Sequence, residues 1–284
     1  MSSTESFQLT HENNNKAVLL FHGMTGEPLE MKQYAKYLHK AGFDVHCACL
    51  PGHGGTMEDL KKVTWQDWSK FALEQFDEVK KTYSEVYLAG LCMGAVLAVN
   101  VAEERDNVAG IAALSTTLFL DGWKMPWYKF LFPLGLYTLL KYFYDFPETD
   151  PYGIKNEKIR KRVSSRLHGS DDAFDYFPMT CALELLRLSK HARKNIKKVK
   201  APTLIVHAQE DDLTSVKSAK CVYKGISSEK KEMVILNNSY HLIVIDNEKE
   251  FVAKKSIEFF NSVSKYAPVT EEKQSDEDLA PNNT

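Results

Sequence analysis

The segment Gly90-Leu91-Cys92-Met93-Gly94 limits the possible folds of this chain more than any other stretch. A strand-like run, Glu85 to Ala89, enters it and a helix-like run, Ala95 to Glu103, leaves it. A strand that turns into a helix within so few residues needs glycine on both flanks, because a Cβ there would hold the two elements apart. The central side chain is pushed above the sheet edge, at the start of a helix whose dipole favours an anion. This is the setting of a nucleophile elbow, here with cysteine in the middle. A thiol in that position is expected to be activated and exposed.

The elbow is one unit of a longer alternation. Phe7 to Leu9 and Ala17 to Phe21 read as strands around the polar turn His11 to Lys16. Pro28 to Lys40 reads as a helix that Gly42 stops, and Phe43 to Cys49 as the next strand. Thr64 is placed to cap a helix reaching Tyr83, with Trp65, Trp68, Phe71, Ala72, Phe76 and Val79 at helical spacing. A strand over Val108 to Leu114 follows the elbow helix. The same rhythm returns with strand Thr203 to His207, helix Ser215 to Tyr223, strand Glu232 to Leu236 and helix Glu248 to Phe260. Strands separated by crossover helices predict an α/β fold with a mostly parallel sheet covered on both faces.

Between Leu118 and about Lys200 the rhythm fails for longer than a connection allows. The interval opens on aromatics, including Trp123, Trp127, Tyr128, Phe130 and Phe132, and is basic. It holds 16 Lys+Arg against 9 Asp+Glu, an excess of +7, while the remaining residues carry 20 against 29, or −9. We read it as a helical cap inserted after the sixth strand. The predicted organisation is therefore a core of residues 1–117 and 201–265, a cap of 118–200, and a disordered acidic tail of 266–284.

A formal net charge of −2 gives no reason to expect nucleic acid as a partner. The five cysteines lack framework or metal spacing, so Cys47, Cys49, Cys181 and Cys221 are expected as small core residues in a reducing cytosol. No secretory signal and no bilayer-spanning stretch is visible, and a cytoplasmic location is the expectation. No metal or organic cofactor is implied.

Ligand sites of open parallel sheets lie at the carboxyl ends of the strands, and three further features fall there. Phe21-His22-Gly23-Met24-Thr25-Gly26 follows a strand; the Met24 and Met93 amides are candidates for an oxyanion hole, and His22 is expected to brace the backbone. Glu210-Asp211-Asp212-Leu213 offers a carboxylate to orient an imidazole, although such an acid pair also caps helices. Asn238-Ser239-Tyr240-His241 supplies the imidazole. Nucleophile, acid and histidine then occur in that chain order, each after a strand.

With these residues the chain resembles the α/β-hydrolases of the carboxylesterase and monoacylglycerol-lipase type. His22-Gly23-Met24-Thr25-Gly26-Glu27-Pro28 resembles the family's oxyanion loop, Leu50-Pro51-Gly52-His53-Gly54 its second signature loop, and Thr64-Trp65-Gln66-Asp67-Trp68 the start of the following helix. The resemblance implies a catalytic set of Cys92, Asp211 and His241, with Asp212 the poorer acid because Leu213 matches the apolar residue two places beyond the acid. It also implies an α/β-hydrolase fold with an inserted helical cap. Cysteine replaces the usual serine, as in the dienelactone hydrolases and polyhydroxyalkanoate synthases of the same fold.

The expected activity is acyl hydrolysis, of an ester or thioester with an apolar acyl group, through a cysteine acyl-enzyme. An acyltransferase would use the same intermediate, and a catalytically silent binding protein would keep the fold alone. Trp123, Trp127 and Tyr128 could wall an acyl pocket, and the basic cap helices could meet an anionic membrane surface. Alternatively, the aromatics fill the cap's own core and the charges form a solvated face.

Overall fold

The computed structural model describes residues 5–126, 138, 145–167 and 176–265. The tail 266–284, Trp127 and Tyr128 lie outside them.

In chain order the core elements are β1 (Phe7–Leu9), β2 (Lys16–Phe21), α1 (Lys32–Lys40), β3 (Asp44–Ala48), α2 (Met57–Lys62), α3 (Trp65–Thr82), β4 (Glu85–Leu91), α4 (Met93–Glu104) and β5 (Gly110–Leu114). The inserted region contributes β6 (Asp145–Pro147), α5 (Glu157–Leu167), β7 (Tyr176–Pro178) and α6 (Met179–Asn195). The core resumes with β8 (Thr203–Ala208), α7 (Val216–Gly225), β9 (Lys231–Leu236) and α8 (Lys249–Val263). Seven strands form one sheet in the order β1-β3-β2-β4-β5-β8-β9, parallel except for β1 against β3.

This is the α/β-hydrolase fold, and its strands show why the sequence reads that way. Every residue of β2, β4, β5 and β8 is buried. Successive side chains serve opposite faces. Ala17, Leu19 and Phe21 pack with α3 and α4, whereas Val18 and Leu20 pack with α1 and α8. Helix α4 is almost wholly buried because it lies between the sheet and helices α3 and α6. Thr64 caps α3 in a capping box with Asp67, and the helix then buries Trp68, Ala72, Phe76 and Val79. Truncating Trp68, which is fully buried, to alanine would cost about 3–5 kcal/mol.

The insertion differs from its expected form. It follows the fifth strand, not the sixth, because the described chain has only β1 to β5 before it. Nor is it purely helical: β6 and β7 pair as a separate antiparallel ribbon. Short proline-bounded strands of three residues carry no periodicity strong enough to announce them. Helix α2 was equally silent to apolar spacing; its signature is a second capping box, Thr56 with Asp59. Among the described residues no helix is long and apolar enough to cross a membrane.

Candidate active site

Cys92 sits between β4 and α4 with φ 58° and ψ −115°, a left-handed backbone that a side-chain-bearing residue adopts at a cost. Its amide donates to the Leu114 carbonyl at 3.0 Å, which anchors the turn to β5. The flanking glycines are steric necessities. A Cβ on Gly90 would lie 2.1 Å from the Gly94 carbonyl oxygen, and one on Gly94 would lie 2.1 Å from that of Phe21. The expectation of an exposed sulfur needs correction: Cys92 is only 5% exposed, and it reaches space through the wall of a cavity.

Asp211 and His241 meet across the loops that follow β8 and β9. His241 Nδ1 donates to Asp211 Oδ2 at 2.8 Å. Asp211 Oδ1 accepts the amides of Leu213 and Thr214, both at 2.9 Å, so the carboxylate is held at both oxygens. Burial works against its charge, but His241 and these contacts outweigh that and keep Asp211 below the usual carboxylate range. Burial likewise opposes the charged imidazole, yet Asp211 and then Cys92 raise His241 well above its ordinary value. The ring is thereby set to hold a proton beside the sulfur. Cys92 acts on the ring both by its charge and as a hydrogen-bonding neighbour, which puts the sulfur beside the imidazole.

The oxyanion-loop candidate follows β2. His22 braces it: Nε2 accepts the Leu50 amide at 3.1 Å, which leaves Nδ1 to donate to the Gly23 carbonyl at 2.9 Å. His53 lies between the same two loops, with Nε2 against the Met24 carbonyl and Nδ1 3.1 Å from that of Pro51. Gly23, Met24 and Cys92 line one cavity with His241. It measures about 580 Å³, and Leu29, Leu120, Met125, Phe146, Leu213 and Ile245 supply much of its apolar wall.

Trp123 is a correction. Its indole is 57% exposed, donates to the Glu210 carbonyl at 2.9 Å and meets the Tyr240 ring edge-on, outside the cavity lining. Leu120, Met125 and Pro126 from the same segment line the cavity instead. Of the basic cap residues, Lys158, Lys161 and Arg162 face solvent on α5, while Val163 of that helix lines the cavity.

Several residues gathered here had no sequence signal. The Ser115 hydroxyl donates to the His241 carbonyl at 2.7 Å, and Thr117 Oγ1 lies 3.3 Å from the Cys92 sulfur. Asp246, fully buried, accepts the amides of Lys155, Asn156 and Tyr240, tying the end of the cap to the histidine loop. Each is an ordinary polar residue whose role exists only through contacts distant in sequence.

The chain matches the family described as "Serine aminopeptidase, S33" (Hydrolase_4) over residues 12–250. It is 28% identical to a thermostable monoacylglycerol lipase of Bacillus sp. (strain H-257) over 268 residues, 92% of this chain and 95% of that protein. It is 23% identical to a carboxylesterase of Bacillus subtilis (strain 168), over 89% of this chain and 96% of the relative. One solved structure, from work on the metagenome-derived lipolytic enzymes LipS and LipT, superposes with a TM-score of 0.77 at 25% identity, covering 92% of this chain and 99% of its own. The chain thus belongs to the Hydrolase_4 family of α/β-hydrolases.

Proposed function

We propose that this protein is a lipase- or esterase-type acyl hydrolase acting through Cys92, His241 and Asp211. The observation that carries the reading is the 2.8 Å Asp211–His241 bond, with Cys92 acting on the same ring and lining the same cavity. The relatives named as a monoacylglycerol lipase and a carboxylesterase support ester substrates. The mostly apolar wall supports an apolar acyl group.

In the first half-reaction His241 takes the thiol proton and the sulfur attacks the ester carbonyl. The Met24 and Met93 amides receive the negative oxygen. Collapse of the tetrahedral species breaks the carbon–oxygen bond of the ester, and the imidazolium gives its proton to the departing alcohol. The acyl group is left as a thioester on Cys92. Water, deprotonated by His241, then attacks the thioester; the carboxylic acid leaves and the thiol recovers its proton. Asp211 holds the ring in the required tautomer and stabilises its charged form.

The test is to mix the protein with a short-chain aryl ester, quench in acid and weigh the peptides. An acyl adduct on the peptide carrying Cys92, absent in Cys92→Ala, together with release of free acid, is the expected result. Aryl ester left intact, with no adduct on wild-type protein, would sink the reading.

A further inference from the structure

The cavity is apolar along most of its wall but acidic around the imidazole. Glu27, Glu30, Glu148 and Asp212 all line it, while Lys124 is the only lysine or arginine among the described lining residues. That lysine is engaged by the Thr149 carbonyl. Among the described residues, two of the carboxylates leave buried oxygens without a regular hydrogen-bond partner. Asp212, 4% exposed, takes the Gly153 amide on Oδ2 at 3.2 Å, and its Oδ1 has none. Glu30 Oε2 also has none. The missing side chain of Gly26 makes room for this carboxylate, because a Cβ there would fall 2.2 Å from Oε2.

Clustering acids in a low-dielectric pocket is costly. Burial raises Glu30 from 4.5 to about 7, although the Gly23 amide and His241 pull the other way. Burial similarly raises Glu148 and Asp212, with Lys124 and His241 only partly opposing it, and each of the three feels at least one neighbouring acid. The triad has no use for these groups, since among the described acids only Asp211 hydrogen-bonds the His241 ring. A cation placed in the cavity beside them would relieve their mutual repulsion, with the apolar wall left for an acyl chain.

We propose that the site selects acyl esters or thioesters bearing an ammonium group, held by Glu30, Glu148 and Asp212 beside the reacting carbonyl. This names the substrate class for the reading above and rests on it.

The experiment separates the two. Cys92→Ala, which can form no acyl-enzyme, is titrated calorimetrically with butanoylcholine and with its neutral isostere, in which a quaternary carbon replaces the ammonium nitrogen. The choline ester is expected to bind at least about tenfold tighter, a ratio that falls toward one when Glu30→Gln or Asp212→Asn is added. Equal binding of the two esters, a persistent ratio in both added variants, or tighter binding of glyceryl monobutanoate than of the choline ester would each overturn the proposal. If wild-type protein acquires no Cys92 adduct from either ester while Cys92→Ala keeps its preference, the acyl-enzyme reading fails and the cation site stands.

Discussion

The Thr117 hydroxyl oxygen lies 3.3 Å from the Cys92 sulfur and 3.2 Å from the Ser115 carbonyl, so one proton has two places to go. While the sulfur carries its own proton, Thr117 can donate to Ser115 and accept from the thiol. Once the sulfur is charged, turning the hydroxyl toward it makes a charge-assisted bond. Thr117→Val should therefore slow alkylation of Cys92 by iodoacetamide at neutral pH by about three- to tenfold, with Thr117→Ser restoring the rate. A purely packing role would predict the reverse, since valine fills the space that serine leaves.

Adjacent acids should behave quite differently. Asp211→Asn keeps the shape but loses the charge that fixes and stabilises the imidazole, and kcat/KM for an aryl ester should fall about 10³–10⁴-fold. Glu210, one residue earlier, instead pairs with Lys155 at the surface. Glu210→Gln should change the rate by less than about twofold. Equal losses in both variants would mean that the loop, and not the carboxylate at 211, is what matters.

The frame of the candidate site was legible in the sequence because each part leaves a local mark. Gly90 and Gly94 are forced by clashes within a few residues or with the adjacent strand, and β2, β4, β5 and β8 are continuous apolar runs because helices cover both faces. Choosing Asp211 over Asp212 needed the resemblance, since both follow β8 and only the fold decides which one meets His241. Ser115, Thr117 and Asp246 were silent because their partners lie far away in sequence or sit on a loop without periodicity. The acidic lining was hidden for the same reason: Glu30 and Glu148 are 118 positions apart, and the net basic charge of the cap pointed the other way.

Stability should depend on pH through buried acids that keep their protons and buried histidines that lose them. Burial raises Glu103 from 4.5 to about 8, with Asn100 and Lys198 only partly opposing it. The folded state thus binds more protons than the unfolded chain between those values, and stability falls as pH rises through that window. Glu30 acts in the same sense up to about 7. His241, raised well above 6.5, contributes stability at low pH that is lost as pH climbs through its folded value. Asp211 is lowered, so its contribution disappears only in acid. Burial lowers His22, His46, His53 and His207, which act in the opposite sense between pH 5 and 8, so the quantity to measure is the share of Glu103 alone. Glu103→Gln, remote from the cavity, should gain on the order of 2 kcal/mol at pH 8 and little at pH 4, measured by chemical denaturation against wild type. A gain confined to acid pH would reverse the sign of the argument.

Asp246 joins the two halves of the site through backbone amides alone. Its Oδ1 accepts Asn156 N–H at 2.8 Å and Asn247 N–H at 2.9 Å, and its Oδ2 accepts Lys155 N–H at 2.8 Å and Tyr240 N–H at 2.9 Å. An asparagine there keeps one accepting oxygen and turns an NH₂ group toward two donors, so two amides lose their acceptor and the loop must shift to relieve the clash. Tyr240 precedes His241 directly, and the displacement passes to the imidazole, whose carbonyl the Ser115 hydroxyl still holds. Asp246→Asn should lower kcat by about tenfold or more, since small misplacements of a reacting group are costly. The cavity wall is built mainly from other residues, so KM should change far less. Steady-state kinetics on an aryl ester, with the unfolding midpoint measured alongside, distinguish this from general loss of fold. A rise in KM at constant kcat would show that Asp246 shapes the cavity without positioning the histidine.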